Sequence, residues 1–272
     1  MKRVVGMTAL YLVLTLFVLF SATPFYWALA SSFKPQNELF EKIGLLPRSP
    51  TLNNYVGLFR DTRYLNWYFN SCLVAVSFTL LVVFFSSLAG FAFSKYDFRG
   101  KKALFMTVIG SMTIPVWAIV IPLYVWFTYL GLINTLWALI LPECASPFSI
   151  FLMRQYIHGL PTDLIDSARI DGCPEFRIYY NIILPIIKPA VGAVAIFAFL
   201  LAWNNFIGPL VFIRSDQLYT LPVGLASFVG QKDRRYGLLM AGGILSFLPI
   251  IILFLNMQRQ FISGLALGSL KE

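Results

Sequence analysis

The side chains able to do chemistry in this chain are few, and one stretch concentrates the charged ones. Between Leu160 and Pro189 stand Asp163, Asp166, Asp171 and Glu175 beside Arg169 and Arg177, in a sequence that is otherwise mostly apolar. His158 is the only histidine, so a histidine-based site would have to be built around one residue. A plain polar role at a helix end is the simpler reading. Cys72, Cys144 and Cys173 lie far apart, with neither a disulfide framework nor a metal spacing. No Gly-x-x-x-x-Gly-Lys-Ser/Thr phosphate loop occurs. The chain is therefore assigned no catalytic residue, no metal and no cofactor of its own. The chemistry open to its charged cluster is recognition of another protein.

Local signals divide that cluster into two short helices with a sharp bend. Thr162 can cap the first helix, Asp163 complements its positive end, and Leu164, Ile165 and Ala168 share a face. Gly172 can take the positive φ that stops this helix. Pro174 suits the first turn of a second helix, with Phe176, Tyr179 or Tyr180, and Ile183 on one side. Pro185 is expected to end it. An amphipathic hairpin resting on lipid headgroups is the plain alternative, but lipid-surface helices prefer a basic polar face. Four carboxylates against two arginines favour a docking element for another protein.

The elements that must carry this loop are membrane spans. The chain has 272 residues, 58% of them hydrophobic and only 12% charged, with a mean hydropathy of +0.76. Soluble domains carry about 25% charged residues. The net charge of +9 comes without a basic helix or an aromatic-interleaved basic patch, so it sets topology and contacts lipid rather than nucleic acid. The apolar run from Thr8 to Ala30 is too long for a signal peptide's core and reads as a retained span. A polar external segment, residues 31–66, follows it. Five further spans are expected over Trp67–Phe93, Ala103–Leu130, Leu136–Met153, Val191–Ile213 and Gly237–Met257, the fourth of the six (Leu136–Met153) interrupted by Pro142, Glu143 and Pro147. The expected fold is all-α and polytopic with six transmembrane helices, both termini on one side. Twelve Lys and Arg fall on the N-terminal side against nine on the other, and the loop Ser94–Lys102 holds four in nine positions. That places the termini and the charged loop in the cytoplasm.

Polar groups inside the spans need partners or water. Trp203-Asn204-Asn205 in the fifth span is the clearest case: either the amides hydrogen-bond to other helices, or they line a path for a hydroxyl-rich solute. Gly208-Pro209 would loosen the helix there. Thr113, Pro115 and Trp117 in the third span, and Asn70, Ser77, Ser86 and Ser87 in the second, are weaker candidates, more often packing contacts than ligands.

Asp166-Ser-Ala-x-x-Asp-Gly172, followed by Ile183-Leu-Pro185 and Pro189, resembles the cytoplasmic "EAA" loop of ABC importer permeases, with Asp166, Ser167 and Cys173 standing where the family has Glu, Ala and Ala. Ala89–Gly100, Trp203–Leu210, Leu218–Phe228 and Gln258–Gly268 are similar to the carbohydrate-type subfamily, most of all to the six-span partner of a maltose-type permease pair. The resemblance implies a type I importer permease fold with a coupling helix inside a loop of about residues 158–190. Leu164, Ile165, Ala168 and Phe176 would then pack in an ATPase cleft, Asp171 would cap or pair locally, and Gly172 would permit the bend. Implied partners are two copies of a cytoplasmic ATPase holding ATP and Mg, a second and different permease chain, an extracytoplasmic solute-binding protein, and membrane lipid. The implied setting is the cytoplasmic (inner) membrane and the implied mechanism alternating access. The organisation expected is a first helix with its external segment (1–65), a permease core (66–258) and a cytoplasmic tail (259–272) whose residues 263–269 reach the ATPase. The rivals are an ion-gradient transporter, which calls for inverted repeats and intramembrane carboxylates, and a membrane assembly factor, which has no positive feature beyond its helices.

Overall fold

Helices carry most of the described residues, as the apolar composition requires of a chain whose backbone must satisfy its own hydrogen bonds in lipid. The computed structural model describes residues 2–41, 44–230 and 234–269, with side chains for 6–39, 44–230 and 234–258. The principal helices are α1 (Lys2–Ser32), α2 (Asn53–Arg60), α3 (Tyr64–Lys95), α4 (Lys101–Ser111), α5 (Val116–Tyr129), α6 (Pro147–His158), α7 (Asp163–Ile170), α8 (Glu175–Ile186), α9 (Lys188–Trp203), α10 (Ile207–Phe212), α11 (Leu221–Ala226) and α12 (Tyr236–Ser269).

The chain divides into two compact units. The first comprises residues 1–65 and 221–249. Here the backbone after α1 is pinned by side chains: Asn54 Nδ2 donates to the Ser32 and Lys34 carbonyls, both at 2.8 Å. The Tyr64 hydroxyl reaches the Gly242 carbonyl at 3.1 Å, and the Phe25 and Phe247 rings meet edge to face at 5.4 Å. Along α1, residues from Met7 to Phe25 are exposed in the chain itself, the pattern of a helix whose solvent is lipid.

In the second unit, residues 66–220 and 250–272, the described residues gather in two cores. One joins Phe78, Val82 and Phe91 of α3 to Met153 and Ile157 of α6, Ile165 of α7, Ile178 and Ile183 of α8, and Val194 of α9. The other gathers Val74 of α3, Phe127 of α5 and Phe212 of α10 around the short turn of helix Trp137–Ile140. Close approach of α3 and α6 depends on Gly90: a Cβ there would lie 2.7 Å from Met153 Cβ and 2.9 Å from the Arg154 nitrogen.

The six expected spans are not all found as single helices among the described residues. Among the described residues, α1, α3 and α12 are long and apolar enough to cross a membrane, and the count reaches five if each bent pair forms one span. The expected third span breaks between α4 and α5, whose axes differ by 102°. Pro115 lacks an N–H and disfavours a helical Ile114, so the ladder cannot pass this point. The expected fourth span is the short Trp137–Ile140 turn, then a non-helical stretch in which Glu143 has φ +60°, then α6. The expected fifth span stops at Trp203, because Asn204 and Asn205 turn their side chains onto the backbone. Asn204 Nδ2 donates to the Leu200 carbonyl at 2.9 Å, and Asn205 Oδ1 accepts the Gly208 N–H at 3.0 Å. The break therefore precedes Gly208 and Pro209, which lie in the first turn of α10 instead of loosening a continuous helix.

Candidate functional site: the helix–bend–helix element

Residues 160–187 form the helix–bend–helix that their punctuation predicts, with some changes of detail. Gly172 adopts φ +76°. Around it the Gly172 N–H bonds the Arg169 carbonyl at 3.0 Å and the Cys173 N–H bonds the Ala168 carbonyl at 2.9 Å, the paired closure of a Schellman motif. Asp171 is the residue at the helix end, and among the described residues its exposed carboxylate makes no ion pair. Thr162 likewise contributes no side-chain cap: its backbone is already helical, which turns the hydroxyl away from the free N–H groups. Pro174 is extended, with ψ 149°, and stands just before α8. Pro185 does not end that helix. A π-turn over Tyr179–Ile183 widens the ladder ahead of the proline ring, and α8 continues to Ile186 before the chain turns by 80° into α9.

Sidedness divides the expected docking residues. Ile165 is fully buried and Ala168 nearly so, both in the unit's own core with Met153, Ile157 and Ile178. Leu164 is 43% and Phe176 68% exposed. Ile170, which sequence reasoning passed over, is 86% exposed and stands almost opposite the Ile165–Ala168 stripe at about 100° per residue. An isoleucine ending a short helix just before an Asp-Gly bend was the available signal. Asp163, Asp166 and Ser167 lie on the exposed side as well. The element thus presents three exposed apolar side chains, Leu164, Ile170 and Phe176, among exposed acidic ones.

A second missed residue fastens the element. Arg169 Nε donates to Glu175 Oε1 at 2.8 Å across the bend, and Arg169 Nη1 to Asp166 Oδ1 at 3.3 Å. The Tyr96 hydroxyl, just past α3, donates to the other Glu175 oxygen, while the Arg169 guanidinium lies over the Tyr96 ring at 5.6 Å. Burial, then the bond to Glu175, pushes the Tyr96 phenol up to about 12. The bonds from Arg169 and Tyr96 hold the Glu175 carboxyl below its ordinary range. Lys95 Nζ meets the Leu160 carbonyl at 2.5 Å, and Ser87 Oγ meets the Tyr179 hydroxyl at 2.7 Å. The bend is therefore clipped to α3 at several points.

The second candidate set is split too. Trp203 is buried, stacked on Phe199 at 5.5 Å and edge-on to Tyr68 at 5.8 Å. Asn204, Asn205 and Thr113 are exposed in this chain, the amides at the α9–α10 break and Thr113 at the α4–α5 break, where its hydroxyl bonds the Gly110 carbonyl at 2.7 Å. Asn70 is a packing contact: it donates to the Gln217 and Tyr219 carbonyls at 2.8 and 3.0 Å. Among the described residues no group of His, Cys, Asp or Glu could hold a metal ion.

Broken apolar helices together with one polar, clipped helix–bend–helix are the architecture of a multi-pass membrane protein. The chain belongs to the family of binding-protein-dependent transport system inner membrane components, whose pattern it matches over residues 82–266. It is 40% identical to the arabinooligosaccharides transport system permease protein AraQ of Bacillus subtilis (strain 168), across 98% of this chain and 95% of that protein. It is 32% identical to the maltodextrin transport system permease protein MdxG of the same organism, across 99% and 98%. The fold matches a chain in the crystal structure of a bacterial ABC transporter involved in the import of the acidic polysaccharide alginate, with a TM-score of 0.83 and 20% identity over 95% of this chain and 97% of that one. The chain is thus the permease component of a binding-protein-dependent ABC importer.

Proposed function

We propose that this chain forms half of the translocation path of an ATP-driven importer for a carbohydrate, of the oligosaccharide size that its relatives' names record. The observation that carries the mechanism is the exposure of the apolar Leu164, Ile170 and Phe176 on an element otherwise locked into the chain. Apolar side chains on a polar cytoplasmic loop need a protein to cover them. The occupant is one of two ATPase subunits, which carry the ATP and Mg. Asp163, Asp166, Ser167 and Asp171 face the same partner, with Ile165 and Ala168 fixing the helix from behind. Both termini and this loop lie in the cytoplasm, and the tail beyond residue 258 approaches the ATPases there.

A second, different permease chain completes the pore. Non-helical backbone at membrane depth is tolerated where protein covers it or water lines it, and the breaks at Thr113 and at Asn204–Asn205 expose such backbone. Exposed amides beside Phe206 suit sugar hydroxyls. ATP closing the ATPases draws the two coupling elements together and opens the pore to a loaded extracytoplasmic binding protein; hydrolysis resets it. Purification of the tagged chain from its native membrane, with mass spectrometry of what accompanies it, tests the assembly. An ATPase and a second permease, with ATP-dependent sugar uptake in proteoliposomes, are the expected result. A chain stable without either, moving solute on an ion gradient, refutes it.

A further inference from the structure

Where the loop after α3 meets α4 and α6, the chain shapes a cavity of about 830 Å³, inside the roughly 300–1,000 Å³ usual for ligand sites. Its lining combines two chemistries. One is aromatic: Phe93 meets Phe98 at 5.9 Å and Phe105 at 5.4 Å between ring centroids. The other is basic, lined by Lys101, Lys102 and Arg154 with Asp97. Asp97 is taken by Lys101 at 3.1 Å, which leaves Lys102 and Arg154 without a carboxylate among the described residues. The Arg154 guanidinium lies over the Phe105 ring at 4.8 Å, and its Nη1 donates to Gln155. Its Nε is shielded from solvent and has no hydrogen-bond partner. A sequestered N–H on a cation is costly until an acceptor reaches it. Beside it the start of α4, at Gly100, has no side-chain cap.

We propose that this cavity binds an anionic phospholipid, its phosphate against Arg154, Lys102 and the open start of α4, and its acyl chain along Phe93, Phe105 and Met106. A free phosphate has no use for the aromatic lining, and a neutral lipid has none for two unmatched cations. The position fits: α3 is a membrane span ending at Lys95, so the cavity opens where headgroups begin. The inference rests on α3 crossing the membrane, not on which leaflet the loop faces nor on ATPase docking.

The test uses the purified complex after delipidation, offered phosphatidylglycerol, phosphatidylcholine, or phosphatidylglycerol with excess inorganic phosphate, and read by native mass spectrometry. Phosphatidylglycerol is retained, phosphatidylcholine is not, and phosphate does not displace the lipid. Lys102→Gln and Arg154→Gln each lower retention roughly fivefold, while Lys188→Gln, outside the cavity, does not. Lys102 is exposed, so its replacement leaves folding intact should the Arg154 variant fail to fold. Equal retention of the two lipids, displacement by phosphate alone, or unchanged retention in Lys102→Gln overturns the proposal. So does a second permease chain cross-linking through Met106→Cys with no lipid retained.

Discussion

The Tyr96 hydroxyl donates to the Glu175 carboxylate, tying the end of α3 to the first turn of α8. Seventy-nine positions separate the two residues, and Glu175 also accepts from Arg169 of α7. One carboxylate thus holds both helices of the element to the end of α3.

Tyr96→Phe tests that linkage with little change of shape, since the ring keeps its edge-to-face contact with Phe91 at 5.2 Å. Losing one hydrogen bond costs about 1 kcal/mol, roughly a fivefold loosening. The expected result in proteoliposomes is less sugar moved per ATP hydrolysed, with normal assembly. An unchanged ratio shows that α3 takes no part in coupling.

The same carboxylate makes the clip acid-sensitive. The folded Glu175 pKa is depressed below 4.5, chiefly by Arg169 and then by Tyr96. Its contribution is therefore complete above the ordinary carboxylate value and is lost as pH falls through the depressed one. Hydrogen exchange of the α7–α8 amides should stay flat from neutral pH to about 5, after correction for intrinsic rates, and rise below about 4. Glu175→Gln should show the raised exchange at every pH; protection equal to the parent's would remove Glu175 from the clip.

Gly172→Val addresses the bend. Space is not the obstacle, because nothing lies within 4 Å of the new Cβ. The cost is a β-branched residue at φ +76°, on the order of 1–3 kcal/mol. Docking of the ATPase should fail while the chain stays membrane-inserted. A normally assembled, transporting variant removes the bend from the mechanism.

Gly90→Ala is the packing counterpart. Its Cβ would meet Met153 and the α6 backbone below 3 Å, and overpacking of this kind costs about 1–3 kcal/mol. The unfolding midpoint in detergent should drop, whereas Gly110→Ala, with open space around it, should leave it level or slightly higher. Equal midpoints would show that α3 and α6 do not need the glycine.

Much of this was legible from local signals. Asp171-Gly172-Cys173-Pro174 specifies a left-handed stop followed by an extended proline, and both are present. Periodicity placed Ile165 and Ala168 on one face, but it cannot say whether that face meets a partner or the chain's own Met153 and Ile157. The burial of Trp203 was not legible for the same reason: Phe199 is local, but Tyr68 comes from 135 positions away. Hydropathy saw the apolar mass of the spans and missed their breaks, because at Pro115 and at Asn204–Asn205 the ladder fails while the average stays high. Tyr96 carried no signal, since its partner is set only by the fold.

The central claim is that Leu164, Ile170 and Phe176 are covered by an ATPase. The direct measurement is the amount of ATPase recovered per tagged permease, with ATP-dependent sugar uptake, for Ile170→Asp and Phe176→Asp. Both side chains are exposed in the chain, so the folded permease tolerates the charge, whereas an apolar cleft does not: burying an unpaired carboxylate costs several kcal/mol. The predicted result is permease in normal amount, with ATPase recovery down at least about tenfold and uptake abolished. ATPase recovered in full, with uptake at the parent rate, would contradict the account.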